Sequence, residues 1–217
     1  MTPRNFISGF IGTHEGKLSL KAADNGNWYD PARYLAGKKQ ARGLGQLVGS
    51  MYGVTAYALV RYRVRKGMAL AKALKVTPAD IATLDLATAI DIGVELYFLE
   101  PGFDRLPWNR VTASIMDKGW GSGPDRAVRM LQQLVGVAID GKLGPKTAAA
   151  YARYIALHGE ERAAREWCAA RIAFDTILAS NDGPNDPDRL FINGWNNRSR
   201  SFLPGTAWWK TFERNAA

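Results

Sequence analysis

With 217 residues and 47% hydrophobic content, the chain has enough apolar material for one compact domain, or a domain with a closely packed lobe, around a substantial core. Its apolar stretches are too short and interrupted to cross a membrane. The 29 Lys and Arg against 20 Asp and Glu leave a net charge of +9 and a pI near 9.8, which suits an anionic polymer such as nucleic acid, an anionic membrane or a bacterial cell wall.

The opening residues Met1 to Gly9 lack the apolar core and small-residue cleavage site of a secretory signal. Phe6, Ile7, Phe10 and Ile11 then recur at helical spacing, and Glu15 continues the stripe four residues beyond Ile11, ahead of a stop at Gly16. Partial burial and the negative end of the helix dipole both disfavour the Glu15 anion, and a glutamic acid kept protonated near neutrality is a general acid. A solvated charge or an ion-pair partner is the other reading of a glutamate at a helix end. Lys17 to Tyr52 is rich in glycine and carries Trp28, Tyr29, Tyr34 and Tyr52 without a regular period, which reads as an ordered functional loop. Strand signal is confined to Gly45 to Thr55.

A helix is predicted from Thr55 to about Lys66, with Arg61, Arg63, Arg65 and Lys66 on a solvated face. Because the basic residues are otherwise spread along the chain and no zinc-finger or RNA-binding aromatic motif is present, nucleic acid is not an expected partner. Thr77-Pro78-Ala79-Asp80 supplies an N-cap, a proline at the first helical position and an acid in the first turn, predicting one long helix to about Phe98. After Pro101, Gly102 and Pro107, a helix is predicted from about Asn109 to Asp117. Another starts at Ser122-Gly123-Pro124-Asp125 and stops at Gly136. Asp140-Gly141 to Pro145 has too few oxygen ligands at calcium-loop spacing and reads as a tight turn feeding the Pro145 helix, which runs to about Leu157. Glu160 to Ser180 reads as one long helix, Asn181 to Pro187 as a loop, and Arg189 to Asn196 as a short helix. The lone Cys168, in the pattern Trp167, Arg171, Ile172, Phe174, is a core residue; no internal disulfide and no zinc spacing exist. The fold class is mainly α.

Asp24 lies nine residues after Glu15, and Thr55 ends the run from Gly49. A glutamate on the first helix, an acid in a turn shortly after it and a hydroxyl residue further on resemble the constellation of phage-type lysozymes. Glycoside cleavage needs one group to protonate the leaving oxygen and another to support the oxocarbenium-like carbon or activate water on the other face. Glu15-Gly16, Asp24-Asn25-Gly26-Asn27-Trp28, Gly45-Gln46-Leu47-Val48-Gly49-Ser50 and Tyr52-Gly53-Val54-Thr55-Ala56 together resemble glycoside hydrolase family 108. That family has a Glu-Gly-Gly motif, an Asp-Pro-Gly-Asn-Trp-like stretch and a Gly-Thr-x-Tyr/Phe-Gly-Ile-Ser/Thr-Ala motif. Gly123 to Ala127, Leu131-Gln132 and Asp140 to Thr147 resemble its associated predicted peptidoglycan-binding region, and Phe191 to Arg198 carries the closing Gly-Trp-x-x-Arg. The chain departs from the pattern at Lys17 (a glycine in the family), at Asn25 (a proline) and at Gly119-Trp120-Gly121-Ser122-Gly123, where the family has Asn-x-Gly.

The resemblance implies a lysozyme-like helical domain with a small loop and β-hairpin region near residues 17–55. Residues 1–108 form the catalytic region, and 109–217 a helical predicted peptidoglycan-binding region packed against it as one compact unit. The implied activity is that of an N-acetylmuramidase cutting the β-1,4 bond between N-acetylmuramic acid and N-acetylglucosamine, of the kind phages and prophages use as endolysins. Glu15 is the implied catalytic acid, with Asp24 and Thr55 supporting the oxocarbenium or orienting water, and Asn27, Trp28, Tyr52 and Trp120 meeting the substrate. Asp24 stays open between this role and capping a turn, and Thr55 between holding a water and capping its helix. No cofactor and no metal are implied. The expected partner is peptidoglycan, met by a monomer without stable membrane insertion. The enzyme is expected in the cytoplasm of the producing cell until a holin or an injection apparatus releases it to the periplasm and cell wall. The alternative is a peptidoglycan-binding module that has lost catalysis, against which Glu15 itself stands.

Overall fold

The computed structural model describes residues 1–180, 183 and 187–214, the side chains at positions 13, 14, 187, 213 and 214 excepted. Of the loop expected over 181–187, positions 181, 182 and 184–186 lie outside the described residues. The fold is mainly α with two small antiparallel sheets, as expected, and divides into two compact units, Arg4–Leu96 and Met1–Pro3 with Tyr97–Ala217.

In the first unit, α1 (Pro3–His14) buries Phe6, Ile7, Phe10 and Ile11, the predicted stripe. Glu15 follows it, half-buried, and its N–H donates to the Ile11 carbonyl at 3.2 Å. The next forty residues are held by two-residue strands, too short for a period to show in the sequence. These are β1 (Leu18–Ser19), β2 (Trp28–Tyr29), then, after the short helix α2 (Pro31–Leu35), β3 (Gln46–Leu47), β4 (Ser50–Met51) and β5 (Val54–Thr55). One sheet has the order β1-β4-β5 and the other pairs β2 with β3, all antiparallel. Tyr52 (φ 52°) and Gly53 (φ 73°) connect β4 to β5 with positive φ at both turn residues, as a type I′ hairpin requires. Gly45 (φ 77°) is needed for a second reason, since a Cβ there would stand 2.2 Å from the Tyr29 carbonyl oxygen on β2.

Helix α3 (Ala56–Arg65) follows directly on β5, and α4 (Leu70–Ala73) on α3. Three residues of the basic cluster at α3 and its C-terminal end form ion pairs rather than being simply solvated: Arg63 pairs with Asp80, and Arg65 and Lys66 with Glu95 at 2.7 and 3.0 Å. The long helix predicted from Thr77 to Phe98 is broken. Helix α5 (Pro78–Ala82) has the predicted cap, completed into a reciprocal capping box by Asp80. The Thr83 hydroxyl then donates back to the Ala79 carbonyl at 2.8 Å. Asp85 starts α6 (Leu86–Ile92) by accepting from the Thr88 N–H at 2.7 Å. Side chains that bond the local backbone compete with a continuous helix, and a π-helical stretch, Gly93–Leu99, closes the run.

In the second unit, Asn109 caps α7 (Arg110–Ser122), which runs past the expected end at Asp117 through Gly119 and Gly121. At Gly119 a Cβ would lie 3.4 Å from both the Phe103 ring and Pro124 Cα, so the glycine marks close packing rather than a stop. Gly123 (φ 90°) turns the chain into α8 (Pro124–Leu134), and α9 (Pro145–Leu178) is interrupted at Gly159 (φ 75°, ψ 159°), between the two helices predicted there. Helices α10 (Ile192–Arg200) and α11 (Ala207–Arg214) complete the chain; α11 carried no expectation. Cys168 is buried as expected, and burial pushes its thiol up.

Charged groups crosslink this unit from inside. The Asp117 side chain is fully buried and takes hydrogen bonds from Arg171 (2.7 Å) and from two nitrogens of Arg198 (2.9 and 3.0 Å). Burial pushes its carboxyl up, and the two guanidinium groups outweigh that and hold it below the ordinary range. Lys118 beside it pairs with the buried Asp175. Arg198 is the arginine of the closing Gly-Trp-x-x-Arg, so that motif ties α10 to α7.

Candidate active site

The first unit gathers its polar residues around the turn Asn25–Asn27, a single 3-10 turn capped by Asp24, whose Oδ1 accepts from the Gly26 N–H at 2.8 Å. Asn27 is completely buried. Its Nδ2 donates to Ser19 Oγ (3.3 Å) and to the Lys21 carbonyl (3.0 Å), and its own carbonyl accepts from the N–H groups of Val48 and Gly49 (2.9 and 3.0 Å). This one residue therefore pins the turn to β1 and to the β3–β4 connection. Trp28, half-buried, donates from Nε1 to the Ala22 carbonyl at 2.9 Å.

Thr55 caps α3 through Oγ1, which accepts from the Ala58 N–H at 3.4 Å. Gly26 lies between Thr55 and Asp24: a Cβ placed on it would stand 3.0 Å from Thr55 Cγ2 and 3.2 Å from Asp24 Oδ1. Two residues 31 positions apart in the chain are thus brought together, and the lack of a side chain at position 26 lets them approach. Each of their hydrogen bonds is that of a cap. Neither exhausts its group, because a carboxylate and a hydroxyl have further lone pairs and Asp24 is exposed.

Beside them a cleft of about 210 Å³ is lined by Asn25, Gly26, Lys39, Gln40, Thr55 and Tyr57. Its wall is fixed by side chains that bond backbone. Gln40 accepts from the Asp30 N–H at 2.7 Å and donates to the Asp30 carbonyl at 3.3 Å; Arg33 Nε donates to the Lys39 carbonyl at 2.8 Å; Asn25 Oδ1 accepts from the Arg42 N–H at 3.0 Å. The Tyr57 ring packs against that of Tyr34, centroids 4.9 Å apart.

Among the residues singled out from sequence, Asp24, Asn27, Trp28 and Thr55 belong to this neighbourhood. Glu15 lies three residues before β1 in the chain, and Ser19 of β1 is paired with Ser50, which in turn is paired with Thr55. Tyr52 sits at the tip of the hairpin that presents Thr55. Trp120 belongs to the other compact unit, where it is 9% exposed in α7 with its ring 4.6 Å from that of Tyr97. Lys39, Gln40 and Tyr57 are marked by no local spacing, and Asn25 is marked only as a departure from the family pattern. Their place depends on side-chain bonds across the loop.

In the second unit, the motif residues Gln132 and Asp140 build a turn. Gln132, 1% exposed, accepts from the Gly141 N–H (2.9 Å) and donates to Asp140 Oδ1 (2.7 Å) and the Lys142 carbonyl (3.1 Å), while the same Asp140 oxygen accepts from the Lys142 N–H at 2.8 Å. The carboxylate that invited a metal reading caps the turn into α9.

The fold is mainly helical with small sheets, and its first unit holds a cleft beside Asp24 and Thr55. The chain belongs to the glycosyl hydrolase 108 family, whose model matches residues 9–123; the model of the predicted peptidoglycan domain matches residues 126–200. It is similar to the solved structure of Brucella abortus SagA, with a TM-score of 0.61 and 25% identity over 94% of this chain and 97% of that one. No curated protein sequence matches it. The protein is a glycoside hydrolase that acts on peptidoglycan and carries a peptidoglycan-binding region.

Proposed function

We propose that this peptidoglycan hydrolase is an N-acetylmuramidase that cuts the β-1,4 bond between N-acetylmuramic acid and N-acetylglucosamine. Glu15 protonates the glycosidic oxygen as the bond to the anomeric carbon breaks, and Asp24 and Thr55 support the oxocarbenium-like carbon or orient the water that adds to it. The observation that carries the reading is the convergence of Asp24 and Thr55 on either side of Gly26, beside an open cleft and within the residues matched by the hydrolase model. Asn27 serves by holding the turn, and Trp28 and Tyr52 flank the same loop region.

Digestion of purified sacculi tests the bond and the acid together. New reducing ends on muramic acid are expected from the unmodified protein and none from Glu15→Gln, which keeps its shape and still pellets with sacculi. Reducing ends on glucosamine, or free amino groups from cut peptides, would overturn the muramidase assignment. Full turnover by Glu15→Gln would remove the acid.

The setting proposed is that of an endolysin, a monomer waiting in the producing cytoplasm until a holin or an injection apparatus releases it to the wall. No helix among the described residues is long and apolar enough to cross a membrane, which fits delivery by another component. Lysis is then expected only when the protein is expressed with a pore former or an export signal. Lysis by the protein expressed alone would count against it.

A further inference from the structure

We infer that Lys39 is a specificity-determining residue that binds a carboxylate carried by the glycan, so that the cleft selects acid-bearing peptidoglycan strands over neutral chitin-like ones. This rests on the muramidase reading of the same cleft. The lining, mostly apolar in surface, draws on Tyr57, whose ring is braced by Tyr34, on Gln40 and Thr55, and on one cationic residue, Lys39. A mostly apolar lining with an aromatic residue suits the face of a sugar ring, and the one cationic side chain among the lining residues, Lys39, suits an acidic substituent on it.

Lys39 is exposed, yet its backbone does not drift freely. Arg33 holds its carbonyl, and the adjoining Gln40 is clamped on both sides of Asp30. No carboxylate among the described residues pairs with its ammonium, whereas Arg63 pairs with Asp80, and Arg65 and Lys66 with Glu95. From residue 17 to residue 55 the chain has six basic residues against two acidic ones, so the surroundings reinforce a positive potential at the cleft. Peptidoglycan offers carboxylates from two sources, its stem peptides and, where these are removed, the lactyl group of muramic acid. Chitin has neither.

The test compares Lys39→Gln, Lys39→Arg and the neighbouring Lys38→Gln on three soluble glycans: peptidoglycan oligosaccharides with stem peptides, the same strands stripped of peptide by an amidase, and chitin oligosaccharides as competitors. For Lys39→Gln we expect KM to rise about two- to fivefold on acid-bearing strands, the worth of an exposed ion pair, with kcat unchanged. The effect should shrink as salt is raised. Lys39→Arg should restore KM, Lys38→Gln should leave it unchanged, and inhibition by chitin oligosaccharides should not move. A rise with intact strands alone assigns the stem peptide, with stripped strands alone the lactyl group, and with both a carboxylate from either source. If the unmodified protein cleaves glycan and Lys39→Gln behaves like Lys38→Gln, or loses affinity for chitin equally, this inference falls alone. If the unmodified protein cleaves no glycan, the muramidase reading falls and this inference with it.

Discussion

Asp24 and Thr55 each combine a capping hydrogen bond with a proposed chemical role, and substitutions separate the two. Asp24→Asn keeps an oxygen that accepts from the Gly26 N–H and removes only the charge. Its melting temperature should stay near that of the unmodified protein while kcat on sacculi falls about tenfold to a hundredfold, the scale of losing electrostatic support in a transition state. Unchanged turnover in Asp24→Asn would leave Asp24 as a turn cap alone. Thr55→Val removes the acceptor for the Ala58 N–H and should cost about 1 kcal/mol of stability, seen as a lower denaturation midpoint. Thr55→Ser keeps both hydroxyl functions and should restore stability and turnover together. Stability restored without turnover would point to the lost methyl, which faces Gly26.

Elements whose ends are written in local chemistry were legible in the sequence, and those set by distant contacts were not. Thr55, Thr77, Asn109, Pro124 and Pro145 mark helix starts because caps and N-terminal prolines act within one turn. Gly159 separates two helical segments for an equally local reason. The break at Thr83 to Asp85 was hidden because the apolar period continues across it while two side chains capture the backbone. The meeting of Asp24 with Thr55 was hidden too, since it depends on the register of two-residue strands and on the buried crosslinks of Asn27. The cap of α5 has a measurable pH signature. Burial pushes the Asp80 carboxyl up, but hydrogen bonds from Thr77 and the Arg63 guanidinium outweigh it and bring it down to about 2. A carboxyl depressed on folding contributes stability above its unfolded pKa and loses it as pH falls through the folded one. Between about pH 4 and pH 2 the first unit should therefore lose about 2 kcal/mol from this group. Denaturant titrations of the protein and of Asp80→Asn over that range should differ by this slope, and equal slopes would refute the assignment.

At the scale of the whole molecule, the family boundary and the structural boundary fall in different places. The hydrolase model runs to residue 123 and so includes α7, yet the compact units divide after Leu96, and α7 packs with α8 and α9. Every residue from Val111 to Trp120 is buried, and the fully buried Asp117 depends on Arg171 and Arg198 from elements beyond the hydrolase match. A fragment ending at residue 123 would keep the α7 sequence and lose what covers it. Exposing this much apolar surface forfeits the burial that stabilises the helix, and breaking the buried ion cluster in the full chain by Asp117→Asn should cost about 3 to 5 kcal/mol. The expected outcome is that the fragment of residues 1–123 binds a hydrophobic dye, and that its amides from 110 to 122 exchange rapidly while those of α1 and α3 stay protected. In the full chain the same α7 amides should be among the slowest, and Asp117→Asn should accelerate them. Protection of 110–122 in the fragment equal to that in the full chain would show that α7 is supported without its C-terminal partners.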